Sequence, residues 1–176
     1  MSDEVILRKH GRVAVVVLNE PKRLNAFSTP LKLRLEEILA NLNQDNECGA
    51  IVLTGAGPSF SAGGDIAEMR WRSIPEGRAR LEAAQRIIRL IACGPKPVIA
   101  AVEGNAIGGG MSLALACDSV VAAENAKFAA SFVPKVGLMP DLGLKWHLSQ
   151  RVGMGTARHL LRLGRSFDGT EALSKG

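Results

Sequence analysis

The stretch Glu103-Gly-Asn-Ala-Ile-Gly-Gly-Gly-Met-Ser-Leu-Ala-Leu-Ala-Cys-Asp118 follows the apolar run Pro97-Val-Ile-Ala-Ala-Val102. A strand that enters a helix through Gly108, Gly109 and Gly110 leaves peptide N–H groups unpaired at the helix start, with no Cβ to hold a ligand off. The helix dipole favours negative charge at the same place, so a bound anion, or an oxyanion formed during a reaction, is stabilised there. Taken alone, the triplet is explained more simply by close packing of a helix on a sheet. A second turn of small residues, Gly55-Ala-Gly-Pro-Ser-Phe-Ser-Ala-Gly-Gly-Asp65, also keeps bulk out. A third segment, Lys127 to Gly143, contains Pro134 and Pro140, so it is expected to be a shaped loop, not a regular helix, that presents Asp141.

The elements that must position these turns are legible from hydrophobic period and punctuation. Val5 to Lys9 and Val13 to Leu18 are β-branched runs parted by Gly11 and read as an antiparallel pair. Ser28 or Thr29 caps a helix with Pro30 in its first turn, and Leu31, Leu35, Ile38, Leu39 and Leu42 form its core-facing stripe. Ala50 to Thr54 is short and apolar, as a buried strand should be. Asp65 caps or begins a short helical piece, Ile66 to Arg70. Pro75 to Cys93 is amphipathic, with Leu81, Ala84, Ile87, Ile88 and Ile91 on one side and Arg80, Glu82, Arg86 and Arg89 mostly elsewhere. A strand leads into the glycine triplet and its helix, and Ser119 to Ala123 is the strand that follows. Helices are expected at Leu144 to Arg151 and Thr156 to Leu163, with one more turn or so from Thr170. Strands alternating with helices argue for α/β layering with parallel crossovers.

The chain has 176 residues, 47% of them hydrophobic, enough for one domain with a sizeable core. It contains no apolar run of about 18 residues, and it opens on the polar, acidic Met1-Ser-Asp-Glu; the expectation is a protein that is neither secreted nor membrane-bound. Cys48, Cys93 and Cys117 are odd in number and scattered, as are His10, His147 and His159, so neither a disulfide framework nor a metal site is expected, and a reducing, cytoplasmic setting is. The net charge of +5 is interleaved with acidic residues and accompanied by only 4% aromatics, which fits an anionic small molecule better than a nucleic acid. The glycine spacing does not fit a dinucleotide-binding fingerprint.

Three features coincide with one family: Phe60-Ser-Ala-Gly-Gly-Asp-Ile66 after an apolar strand, the stretch Glu103 to Asp118, and Phe128 followed by Val136-Gly-Leu-Met-Pro-Asp-Leu-Gly143. In order and separation they resemble the crotonase superfamily, also called the enoyl-CoA hydratase/isomerase family, from about Val5 to the last residue. The resemblance implies a crotonase-like (ClpP/crotonase) α/β fold, a spiral of ββα units around two sheets, lacking most of the C-terminal helical region. It implies an acyl-CoA thioester as partner, with coenzyme A as part of the substrate and no other cofactor. The backbone N–H groups of Gly64 and Gly109 would polarise the thioester carbonyl, and Ala62, Asp65 and Ile66 would lie against coenzyme A. It further implies a homo-trimer or a hexamer built as a dimer of trimers.

The chain departs from the hydratase pattern at the acid/base positions. Hydratases of the family carry one glutamate two residues after the glycine triplet and a second in the loop near Ser131 to Val133; this chain has Ser112 at the first and no carboxylate at the second. Ser112 is expected to pack or bond locally, with no His or Asp at a partner spacing. Asp141 resembles the single aspartate of isomerase members related to the ring-epoxide phenylacetyl-CoA isomerases, and one carboxylate can move a proton between two carbons. The plainer role for Asp141 is to cap the helix beginning at Leu142 or Leu144. The expectation is therefore an enoyl-CoA isomerase, with an enoyl-CoA hydratase or an inactive acyl-CoA-binding or assembly protein as alternatives. The acyl pocket would be shaped by the loop Met69 to Ala79 and by the C-terminal portion that family members carry beyond the region of resemblance.

Overall fold

The computed structural model describes residues 4–65, 68 and 73–176; the expected helical piece from Ile66 to Arg70 lies almost wholly outside them. Strand β1 (Val5–His10) runs antiparallel to β2 (Val13–Leu18), as the β-branched runs predict. Beyond them the chain repeats one unit, in which a strand of one sheet is followed by a strand of a second sheet and then a helix. The units are β3 (Ala50–Gly55), β4 (Ser59–Ser61) and α2 (Ile74–Ala92); β5 (Val98–Val102), β6 (Asn105–Ile107) and α3 (Gly109–Ala116); and β7 (Ser119–Ala122), β8 (Lys127–Ala129) and α4 (Phe132–Val136). Helix α1 (Thr29–Gln44) precedes them, and α5 (Leu144–Val152), α6 (Met154–Leu163), β9 (Phe167–Asp168) and α7 (Gly169–Lys175) complete the order.

One sheet has the order β1-β2-β3-β5-β7 and the other β4-β6-β8-β9, with β2, β3, β5 and β7 mutually parallel and β4, β6 and β8 likewise. This is the expected α/β spiral of ββα units. The second sheet corrects the simpler reading in which β5 feeds α3 directly. The chain turns at Gly104, forms β6, and only then enters α3. Gly104 has φ +61°, and a Cβ there would fall 1.9 Å from the Pro58 carbonyl oxygen, so only glycine lets the two sheets approach at this seam.

Helix α4 is a second correction. Pro134 occupies its third position, inside the first turn, where the missing N–H has no intrahelical acceptor to lose, so proline is compatible with this five-residue helix. Gly137 at φ +71° then ends it.

The core forms where the stripes predict. Ser28 Oγ accepts the Leu31 N–H at 3.2 Å to start α1, whose Leu31, Leu35, Ile38, Leu39 and Leu42 are buried. Helix α2 starts on a capping box between Ser73 and Glu76 and buries Ala84, Ile87, Ile88 and Ile91. Each such side chain contributes roughly 1.5–3 kcal/mol by leaving water. Leu81 is 40% exposed, however, because the first turns of α2 border a cavity and not the core. Among the described residues no helix is long and apolar enough to cross a membrane, and no group of three or more His, Cys, Asp or Glu could hold a metal ion.

Candidate active site

Parallel strands β4, β6 and β8 lie side by side and end on the same edge, so the three segments leaving their carboxyl ends converge, the usual place for a ligand in parallel sheets. A cavity of about 380 Å³ opens there, and Ala62, Gly64, Gly109 and Asp141 all line it.

The segment after β4 is held by buried hydrogen bonds. Asn25, at φ +53° and fully buried, donates through Nδ2 to the Ala56 and Ser59 carbonyls at 2.9 and 2.7 Å and accepts the Glu20 N–H at 2.9 Å. Ser61 Oγ donates to the Asn25 carbonyl at 2.7 Å and accepts the Gly63 N–H at 3.2 Å. The Gly63 carbonyl accepts the Phe27 N–H at 2.7 Å, and Gly64 bridges Phe27 in parallel. This network explains the string of small polar residues in the turn.

The glycine triplet after β6 divides its labour. A Cβ on Gly110 would lie 2.4 Å from the Ser61 carbonyl oxygen, and one on Gly63 would lie 2.3 Å from the Ile107 carbonyl oxygen and 2.9 Å from the Gly109 nitrogen. Those positions are glycine because two backbones touch, as close packing predicts. Gly109 is different: a Cβ there meets nothing nearer than 3.7 Å, and its neighbours at that distance are Gly63, the Gly64 nitrogen and Leu142. Packing does not demand glycine at 109, and the space kept free belongs to the cavity. Gly109 is the first residue of α3, so its N–H has no intrahelical acceptor; among the described residues neither it nor the Gly64 N–H finds a backbone one.

Asp141 reaches the cavity from a different kind of segment. Leu142 and Gly143 both have left-handed backbone, at φ +51° and +73°, and Leu144 N–H donates to the Asp141 carbonyl at 3.0 Å. The cap position of α5 is taken by Gly143, without any side-chain hydrogen bond, so the Asp141 carboxylate does not cap this helix. The carboxylate keeps contact with solvent but is crowded enough that lost hydration raises its pKa above the usual range, opposed by its own N–H and the Arg80 charge. Leu142, buried beneath it, faces Gly109.

Ala62 lines the cavity, and its N–H is held by the Leu24 carbonyl at 2.9 Å. Asp65 is 5% exposed, with its carboxylate on the Arg23 guanidinium, and does not reach the cavity wall; Ile66 lies outside the described residues. Ser112 is buried and donates to the Gly108 carbonyl at 3.2 Å, the local bond expected of it. Burial, with Asp118 adding, pushes the Cys117 thiol up to about 12, which removes it as a nucleophile.

Two cations on the wall escape sequence reasoning. Lys32, 7% exposed, stands 3.9 Å from Glu68. Burial pushes the Glu68 carboxyl up, but the Thr29 N–H and hydroxyl, with Lys32 and Arg80, hold it below its usual range. Arg80 is the other, and the expectation that it lies away from the apolar side of α2 is wrong. It stands one turn before Ala84 on the inward face, a basic residue at an apolar position, and that misplaced charge was the available signal.

Comparison with known proteins agrees with this architecture. The family model described as enoyl-CoA hydratase/isomerase matches residues 8–176. A short-chain-enoyl-CoA hydratase of Clostridium acetobutylicum is 41% identical over 99% of this chain and 67% of its own length. A 1,2-epoxyphenylacetyl-CoA isomerase of Escherichia coli is 38% identical over 98% of this chain and 67% of its own. The crystal structure of an enoyl-CoA hydratase from Bacillus anthracis superposes with a TM-score of 0.93 at 30% identity, covering 98% of this chain and 67% of that one. The chain thus spans about two thirds of the length of these relatives. With the ββα spiral and a family match over nearly its whole length, the chain belongs to the enoyl-CoA hydratase/isomerase family.

Proposed function

We propose that the chain binds an enoyl-CoA and shifts its double bond, with the Gly64 and Gly109 N–H groups as oxyanion donors and Asp141 as the base. The observation that carries this reading is the cavity that has two main-chain amides without backbone acceptors on one wall and, among its described lining residues, Asp141 as the only carboxylate. The thioester oxygen of a 3-enoyl-CoA accepts from both amides. Asp141 removes a proton from C2, the electron pair delocalises onto that oxygen as a dienolate, and the carboxylic acid returns the proton at C4, leaving a 2-enoyl-CoA with no co-reactant consumed. A carboxylate raised by lost hydration is the stronger base once ionised.

Coenzyme A would extend past Ala62 towards Asp65 and Ile66. Because the Asp65 carboxylate is already engaged by Arg23, its contact would be through main chain. The working assembly would be a trimer or hexamer, to be tested by light scattering of the native protein. Hydration is the second reading, favoured by the hydratase name of the Clostridium acetobutylicum relative. Incubating a 3-enoyl-CoA in deuterium oxide separates the two: isomerisation gives exchange at C2 and C4 with no 3-hydroxyacyl-CoA, and Asp141→Ala abolishes it. Hydration that persists in Asp141→Ala overturns the assignment.

A further inference from the structure

We infer that Arg80 selects an acyl group carrying a carboxylate at its far end; the inference rests on the acyl-CoA reading above. Helix α2 turns Ala84, Ile87, Ile88 and Ile91 to the core, and Arg80 on the same face meets the cavity instead. Its Nε is cut off from solvent and has no hydrogen-bond partner among the described residues. The ion pairs of those residues do not include it: Glu68 pairs with Lys32 at 3.9 Å, and Arg86, further along α2, takes Glu36. The surrounding wall is largely apolar, through Leu81, Ala84, Phe132 and Leu138.

Arg80 lines the cavity with no side-chain hydrogen bond or ion pair among the described residues, and a hydrocarbon acyl chain offers its guanidinium no acceptor. A carboxylate supplies two oxygens that match the guanidinium fork. Charge on and beside the described wall leaves no net negative charge to repel a carboxylate: Lys32 and Arg80 stand against Asp141 and Glu68, and Glu68 is acted on by both cations. The amides after β4 and β6 would hold the thioester, and Arg80 on α2 would read the other end of the acyl group.

The test is calorimetric titration with glutaryl-CoA and pentanoyl-CoA, which have acyl chains of equal carbon number and no double bond to shift, so binding is measured apart from the reaction. Glutaryl-CoA is expected to bind about tenfold more tightly. In Arg80→Met the ratio collapses towards one, and in Arg80→Lys it is partly kept. Equal affinities in the unaltered protein, which need no variant to fold, overturn the inference, as does a ratio that survives in an Arg80→Met protein of unchanged melting temperature. Binding of both ligands with equal affinity sinks Arg80 alone; binding of neither sinks the acyl-CoA reading and this inference with it.

Discussion

Around Gly63, Gly64 and Gly109 the cavity wall is main chain, pinned by the buried side chains of Asn25 and Ser61 and by contacts that no Cβ could enter. Around Asp141 it is one side chain on a solvent-exposed segment whose direction is set by two left-handed residues, Leu142 and Gly143. At Gly63 the first region cannot be altered by trading side chains without moving two backbones. The second can be altered by a single codon. The difference teaches where reaction type would reside under the proposed function: the rigid half would supply the amides for a thioester oxygen, and the exposed half the proton carrier.

Asp141→Asn separates the halves most sharply. It should lower kcat by about 10²- to 10⁴-fold while the melting temperature stays within a degree or two, because the carboxylate makes no cap and no ion pair within the described residues. Loss of folding in this variant would break the contrast. Gly63→Ala should do the reverse in kind, costing about 10²- to 10³-fold in activity together with a marked fall in melting temperature, since the new Cβ collides with Ile107 and with the Gly109 nitrogen. Ser61→Ala leaves the Gly63 N–H and the Asn25 carbonyl unpaired in the interior, and urea unfolding should register about 1–3 kcal/mol. The mildest change is in the pH profile. As the proposed base, Asp141 would act only when ionised, and because its pKa is raised, kcat/KM should fall with acid at a higher pH than an ordinary carboxylate would dictate. Removing the Arg80 charge should move that limb higher still.

Long apolar stripes were readable in the sequence because their period is sampled several times over: α1, α2 and the β1–β2 pair lie where Leu31 to Leu42, Ala84 to Ile91 and Val13 to Leu18 place them. Strands β4, β6 and β8, of three residues each, are too short to show a period, so the second sheet had no local signature although it gathers the whole site. Of the candidate site, the triplet Gly108 to Gly110 stood out by its spacing, Gly64 and the choice of Gly109 came from the family likeness, and Asp141 from its prolines and that likeness. Arg80 and Lys32 did not, because a cation at an inward position reads as a surface residue until the cavity it faces is known.

The seam at Gly104, where the Pro58 carbonyl leaves no room for a side chain, ties the two sheets together through residues outside the segment 137–143. With Leu142, which is buried against Gly109, kept in place, the rest of that segment is open to exchange with the corresponding stretch of a relative as a graft. A chimera of this kind would test whether the proposed proton carrier can be changed while Gly64 and Gly109, the proposed oxyanion donors, are kept.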